Sequence, residues 1–238
     1  MKFSTRKLSL TLCCLFAAGA GFAQPPDYTY RTEHDPDGIG KFYAGREIAQ
    51  VMGHQAADWL ERPEREQEER PDLLLKAIPL HPGESAADIG AGTGYLSWRM
   101  AKMTGDKGKV YCVEIQQEML DLLAKKMVEH QTTNFQSVLG TVTDTRLPSN
   151  SVDVVLMVDV YHEFDHPYEM MQSILRALKP GGRVVWVEYR AEDPAVPIKP
   201  LHKMSEAQVR KEAALVPLEW VQTIETLPRQ HIFIFKKK

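Results

Sequence analysis

The sequence predicts an α/β domain in which mostly parallel strands alternate with helices, and three observations carry that prediction. Residues 86–99 read Ala-Ala-Asp-Ile-Gly-Ala-Gly-Thr-Gly-Tyr-Leu-Ser-Trp-Arg, a short apolar strand running into glycines at 90, 92 and 94 and then into a helix. Twenty residues past Gly94, the strand Lys109-Val-Tyr-Cys-Val ends on Glu114. Beyond it, apolar runs of strand length alternate with segments of helical period as far as Glu188.

Each element follows in chain order. Lys2, Arg6 and Lys7 precede an apolar stretch from Leu8 to Ala18 and then Gly19-Ala-Gly-Phe-Ala23. These are the three parts of a secretory signal peptide, with cleavage expected between Ala23 and Gln24. The apolar run is too short to span a bilayer comfortably, so no stable membrane insertion is expected after processing. Residues 24–44 are rich in Pro, Gly and Asp and read as an irregular arm. Gly45–Leu60 carries a helical period in Ile48, Val51, Met52, Ala56 and Trp59. The Glu/Arg run Pro63–Arg70 reads as a solvated helix with i,i+4 pairs, and Pro71–Ile78 as a second short helix.

After the first strand, the glycines and the second strand comes a helix over Gln116–His130, with Ile115, Met119, Leu122, Leu123 and Met127 on one face. A third strand follows at Asn134–Leu139. The apolar run Val152-Asp-Val-Val-Leu-Met-Val158 is long enough for a strand buried on both faces. A helix over Pro167–Leu178 leads through Lys-Pro-Gly-Gly into another buried strand ending at Glu188. Prolines 194, 197 and 200 make a stiff extended loop. Ser205 caps a helix with Gln208 as its box partner, and Glu219–Thr226 and His231–Phe235 read as a closing antiparallel hairpin.

Bulk composition narrows the function. The 238 residues are 43% hydrophobic and 26% charged, which suits one folded domain with an N-terminal extension. The net charge of −3 becomes −6 if the first 23 residues, with three basic side chains and no acid, are removed. Such a balance is a poor start for binding nucleic acid. Cys13 and Cys14 lie in the leader, so a processed chain keeps only Cys112 and can form no intramolecular disulfide.

The chemistry begins at the glycine loop. Glycine permits positive φ and close approach of a ligand to the backbone, and the helix start offers unpaired N–H groups at a positive dipole end. Glu114 is placed to accept two hydrogen bonds from ribose hydroxyls. The spacing is G-x-G-x-G led by Asp88, whereas the dinucleotide fingerprint is G-x-G-x-x-G. With the two later apolar strands, this segment resembles the class I S-adenosylmethionine-dependent methyltransferases, whose first motif has the form Asp/Glu-x-Gly-x-Gly-x-Gly. The resemblance extends over roughly residues 73–236. It implies a seven-stranded Rossmann-like sheet, mostly parallel with an antiparallel last strand, helices on both faces and N-terminal helices capping the pocket. The domain division is then 1–23 signal peptide, 24–72 arm and cap helices, and 73–238 methyltransferase domain.

The resemblance further implies S-adenosyl-L-methionine as cofactor, held by Asp88, Gly90, Gly92, Gly94, Tyr95, Glu114, Ile115, Thr141, Asp144 and Val158. Many members carry Gly-Asp after the third strand as the adenine contact. This chain has Gly140-Thr141, with Asp144 as the substitute if the loop folds back. The fourth strand's end, Val158-Asp-Val-Tyr-His-Glu-Phe-Asp-His166, faces the expected methyl position. His162 is the candidate general base, since an imidazole pKa near 6.5 suits proton removal at neutral pH, with Asp159 and Tyr161 beside it. Tyr43 and Arg46 are candidate lid residues with packing as the alternative.

Asp159, His162, Glu163, Glu188 and His202 are ligand-type residues, but no HExxH or paired-cysteine pattern is present and their spacing fixes no geometry, so no metal is expected. The expected activity is methyl transfer to a small-molecule acceptor in the periplasm or outside the cell. The alternatives are a non-catalytic binder of S-adenosylmethionine or another nucleoside, and a protein-modifying methyltransferase suggested by Gly94-Tyr95. Export sets a cofactor made in the cytosol against an enzyme outside it. The oligomeric state is not legible in the sequence.

Overall fold

A computed structural model describes residues 27–238, so the leader and its cleavage point lie outside the described residues. The chain opens with β1 (Thr29–Tyr30), β2 (Gly38–Tyr43) and β3 (Arg46–Ala49), an antiparallel sheet in the order β1-β2-β3. The irregular arm expected here is therefore corrected, as is the helix expected from Gly45. Ala44 and Gly45 take φ of 49° and 92°, the two positive values that a two-residue hairpin turn requires. Ile48, counted above toward a helical stripe, is instead fully buried in a strand. Only a 3₁₀ turn (His54–Ala56) and the one-turn helix α1 (Ala57–Leu60) remain of that helix. Then come α2 (Arg65–Glu68) and α3 (Pro71–Ala77), the latter with proline at its first position, where its missing N–H costs nothing.

The main sheet is built from β4 (Ser85–Ile89), β5 (Lys109–Glu114), β6 (Phe135–Leu139), β7 (Val152–Val158), β8 (Leu178–Tyr189), β9 (Leu218–Ile224) and β10 (Gln230–Lys237). Its order is β6-β5-β4-β7-β8-β10-β9. Strands β4 to β8 pair in parallel, and β10 enters antiparallel between β8 and β9. This is the seven-stranded, mostly parallel arrangement expected. The Lys-Pro-Gly-Gly turn lies inside β8 as an irregularity between the pairs Val152–Leu178 and Val154–Arg183.

Helices α4 (Ser97–Thr104), α5 (Gln117–Glu129), α6 (Pro167–Ala177) and α7 (Glu206–Ala213) cover the sheet. Side-chain alternation divides β7 and β8 between two cores. Val155, Met157, Val184 and Trp186 pack with α6 and α7, while Val154, Leu156, Val185 and Val187 pack with α3, α4 and α5. Both faces are thus sealed, which is why these strands read as continuous apolar runs. Ser205 caps α7 as expected, accepting from the N–H of Gln208 at 3.1 Å, but the Gln208 amide turns to Glu212 and leaves the box open.

The order of strands reverses between β4 and β7. In an open α/β sheet the crevice at the carboxyl ends of such strands is where ligands bind. The first sheet backs this crevice: β3 packs on the 3₁₀ turn Tyr161–Glu163 after β7 and on a second one, Pro200–His202. Among the described residues, no helix is long and apolar enough to cross a membrane.

Candidate active site

A cavity of about 420 Å³ occupies this crevice, within the usual range of small-molecule pockets. Its floor is made by the strand ends: Ile89 and Gly90 from β4, Glu114 and Ile115 from β5, Val158 and Asp159 from β7, and Tyr189 from β8. Met52, Trp59 and Leu60 close one wall and Ile198, Lys199 and His202 another.

The glycine loop does two different jobs. Gly90 has φ +69°, and a Cβ there would sit 2.4 Å from the Val160 side chain, so the loop must cross the end of β7 with no side chain. Gly90 and Gly92 line the cavity. Gly94 does not: a Cβ on it would meet Leu123 at 2.8 Å, so it lets α5 close on the loop. Asp88 sits behind the loop, buried, and accepts from the Ser97 hydroxyl at 2.6 Å. Burial pushes its carboxyl up to about 6. Asp88 and Tyr95 border a small recess of about 40 Å³ beneath the loop instead of the main cavity, and the Tyr95 hydroxyl bonds Glu66.

Glu114 is 7% exposed and lines the cavity. One carboxylate oxygen accepts from the N–H groups of Ile115 (2.8 Å) and Gln116 (3.2 Å), and the other from Gly92 (3.2 Å). Burial still holds its pKa above the ordinary carboxylate value, because desolvation outweighs those three donors. A carboxylate fixed in this way keeps spare lone pairs toward the cavity for hydroxyl donors.

The expected adenine contact is corrected. Thr141 and Asp144 do not line the cavity; Val142 does. The Asp144 carboxylate accepts from Arg146 N–H (2.8 Å), the Ser173 hydroxyl (2.8 Å) and Arg176 (2.9 Å), which turns it toward α6. Backbone donation from Arg146 comes first in holding its pKa below the usual range. Thr141 spends its hydroxyl capping the N–H groups of Thr143 and Asp144.

At the end of β7, Asp159 has φ +51°, an uncommon conformation for a non-glycine residue and one that concentrates at functional sites. Its Oδ2 accepts from Gln230 at 2.6 Å, while Oδ1 is buried with no hydrogen-bond partner among the described residues. Burial, followed by the nearby Glu69 and Glu188, pushes this carboxyl well above its ordinary value.

His162 is 2% exposed, and its Nδ1 lies 2.6 Å from Glu188 Oε2. Glu188 Oε1 accepts from the Trp186 indole at 3.3 Å, which orients the carboxylate. The pairing places the imidazole proton on Nδ1 and leaves the Nε2 lone pair toward the cavity mouth, 3.2 Å from His202 Nδ1. Burial pulls the His162 pKa down, but the charge and hydrogen bond of Glu188, with Glu163 behind it, raise it above the ordinary imidazole value overall.

Tyr161, expected beside the base, is corrected. It is 1% exposed, its ring packs 3.9 Å from Trp186, and it does not reach the cavity. Tyr43 and Arg46 also pack. Arg46 pairs with Glu212 at 2.7 Å and donates to the His162 carbonyl at 3.1 Å.

Sequence reasoning missed one cluster. The Glu/Arg run is solvated at Glu64, Glu66 and Gln67, but its i,i+4 pair turns inward. Arg65 and Glu69 are buried and paired at 2.6 Å, Arg62 joins Glu69 at 2.6 Å, and the Tyr189 hydroxyl donates to Glu69 at 2.8 Å. All four residues line the cavity. The i,i+4 spacing of Arg65 and Glu69 was legible, but their burial depends on β8 lying beneath them.

Comparison with known proteins places this geometry. Residues 87–186 match the family model described as a methyltransferase domain. The chain is 31% identical over 118 residues to the ubiquinone/menaquinone biosynthesis C-methyltransferase UbiE of Ectopseudomonas mendocina (strain ymp), covering 49% of this chain and 46% of that one. It is 26% identical over 114 residues to the demethylmenaquinone methyltransferase of Geobacillus sp. (strain WCH70), covering 48% and 49%. The chain thus spans about half the length of these curated relatives. Among solved structures, a SAM dependent methyltransferase from Aquifex aeolicus superimposes with a TM-score of 0.75 at 23% identity, over 79% of this chain and 100% of that one. The [4+2]-cyclase SpnF follows the same fold with a TM-score of 0.61 at 16% identity, over 71% and 79%. Residues 87–186 therefore match a methyltransferase domain, on a fold shared with a SAM dependent methyltransferase of known structure.

Proposed function

We propose that this protein transfers a methyl group from S-adenosylmethionine to a small-molecule acceptor. The observation that carries the reading is one cavity in which the Gly90–Gly92 loop and the Glu114 carboxylate stand opposite a polar strand end bearing Asp159 and His162. When bound, S-adenosylmethionine supplies an activated methyl group and a neutral thioether leaving group. The residues fit such a ligand. Glu114 accepts from ribose hydroxyls, the bare backbone at Gly90 and Gly92 admits close approach, and the orphan Oδ1 of Asp159 suits an N–H or ammonium donor.

The protein's share of the reaction is to align the acceptor, exclude water and take a proton where the acceptor carries one. His162 Nε2 is the proton acceptor, with Glu188 orienting the ring and stabilising the imidazolium. The apolar side chains of Met52, Trp59 and Leu60 on one wall and Ile198 on the other suit a flat or aliphatic acceptor, and the quinone-pathway names of the relatives agree with a small one. The test is transfer of radiolabelled methyl from S-adenosylmethionine to a panel of hydroquinones, phenols and thiols. Single-turnover transfer should fall about 10²–10⁴-fold in His162→Ala with cofactor affinity nearly unchanged. Cofactor binding with no transfer to any acceptor would favour a binding protein.

We further infer that the chain is exported and acts in the periplasm or beyond. The basic, apolar and small-residue segments before Gln24 support this. N-terminal sequencing of protein from its native host should begin at or near Gln24; intact Met1 in a cytosolic fraction would refute it.

A further inference from the structure

We propose that His162, Glu163 and His202 form a binding site for a divalent transition-metal ion, Zn²⁺ in the first instance, at the mouth of the cavity. The proposal rests on the functional reading above only in placing the methyl acceptor beside the ion.

Geometry is the first argument. His162 Nε2 and His202 Nδ1 are 3.2 Å apart, His202 Nδ1 and Glu163 Oε1 3.6 Å, and His162 Nε2 and Glu163 Oε1 3.9 Å. Three ligands of a tetrahedral ion with bonds of about 2.0–2.1 Å stand about 3.3–3.4 Å apart. The observed triangle needs movements of a few tenths of an ångström to close on one ion. Two imidazoles and one carboxylate favour Zn²⁺ and its d-block neighbours over Mg²⁺ or Ca²⁺, which prefer oxygen.

Orientation is the second. Glu188 holds His162 Nδ1 at 2.6 Å and is itself held by Trp186, so the carboxylate–histidine pairing that commonly backs a metal ligand is already in place. Arg46 fixes the carbonyl of the same residue and is tied to Glu212. The Tyr161–Glu163 turn is therefore braced before any ion arrives, and the proline-stiffened loop presents His202 from the other side.

Charge is the third. Within 4 Å, the basic groups that the Glu163 carboxylate meets among the described residues are His162 and His202, with no lysine or arginine. Glu188 meets only His162 in the same range. Arg46 is neutralised by Glu212 and Lys199 by Asp37. A divalent cation would balance the two carboxylate charges of Glu163 and Glu188. All three ligand residues line the cavity, so the ion's open fourth position faces the space assigned to the acceptor. There it would coordinate a hydroxyl or thiol, whose proton leaves to water while the oxygen or sulfur keeps the electron pair. With the ion bound, His162 Nε2 serves as ligand and the ion eases loss of that proton to water; His162 is the proton acceptor in the metal-free protein.

The test uses the full chain without a polyhistidine tag, stripped with chelator and titrated with Zn²⁺ by calorimetry. One ion per chain should bind, His202→Ala and Glu163→Gln should each weaken it at least roughly tenfold, and Glu188→Gln, which orients the ligand, roughly 10–100-fold. Co²⁺ should give the intense visible absorption of a four-coordinate centre in the wild type and lose it in His202→Ala. If His202→Ala fails to fold, Glu163→Gln, at the solvent edge, carries the comparison. Wild-type protein that binds Zn²⁺ no more tightly than either ligand variant, or gives the same Co²⁺ spectrum, overturns the proposal. S-adenosylhomocysteine binding to the metal-free protein is scored separately, so loss of one reading leaves the other standing.

Discussion

Glu114→Gln isolates the cofactor-binding role of the β5 carboxylate from its structural one. One oxygen of Glu114 accepts from Ile115 and Gln116, the other accepts from Gly92, and the side chain lines the cavity. An amide can keep its carbonyl on the first pair of donors. Its NH₂ group then replaces the second oxygen, opposing the Gly92 N–H and losing the ability to accept from a ribose diol. The fold keeps two of its three hydrogen bonds, so the stability loss should be about 1–2 kcal/mol, a fall in Tm of a few degrees. The ligand loses charge-assisted acceptance worth on the order of 2–3 kcal/mol. Affinity should therefore fall roughly 30- to 150-fold. Calorimetry with S-adenosylhomocysteine on wild type and variant measures this, with a thermal melt on the same samples. A folded variant whose affinity stays within about threefold of wild type would refute the assignment of Glu114 to the ribose.

Three more outcomes follow from the same geometry. Gly90→Ala forces a methyl group to within 2.4 Å of Val160 at φ +69°, so it should lower Tm and abolish measurable cofactor binding; a well-folded variant with normal affinity would contradict the close-approach argument. Asp144→Ala should leave cofactor affinity within about twofold, because its carboxylate faces Ser173 and Arg176, and a large loss by calorimetry would restore it as an adenine contact. In metal-free protein, methyl transfer to an acceptor that must lose a proton should show its acid limb above the ordinary imidazole value of about 6.5, since the Glu188 pairing raises His162. Glu188→Gln should move that limb to lower pH, and an unmoved limb would assign it to another group. The same raised pKa gives stability that is fully present at acid pH and is lost as pH rises through the folded-state value.

The main sheet was legible because each of its strands is either bounded by glycine or proline or uniformly apolar. The Val152–Val158 run matched β7 residue for residue, since burial on both faces leaves Asp153 as its one polar position. The N-terminal segment was not legible for the opposite reason. Its strands are two to six residues long, and the apolar residues of Gly45–Leu60 that match a helical period are divided among β3 (Ile48), an exposed 3₁₀ turn (Ala56) and the cavity wall (Val51, Met52, Trp59). At the site, Gly90, Gly92, Glu114, Asp159 and His162 all reach the cavity, because strand ends of this topology converge on one crevice. Arg65 and Glu69 escaped because a buried ion pair and a solvated one share the same spacing. Tyr161 was assigned to the pocket by adjacency to His162, but in the tight turn after β7 the neighbouring side chain points back into the core.

The central claim is that the cavity over Gly90, Gly92 and Glu114 binds S-adenosylmethionine, and competitive equilibrium binding on the purified wild-type chain tests it most directly. S-adenosylhomocysteine and S-adenosylmethionine should each bind one per chain at micromolar or lower Kd, while NAD should bind at least a hundredfold more weakly. Equal or preferential binding of NAD, or no binding of either S-adenosyl compound to folded protein, would contradict it.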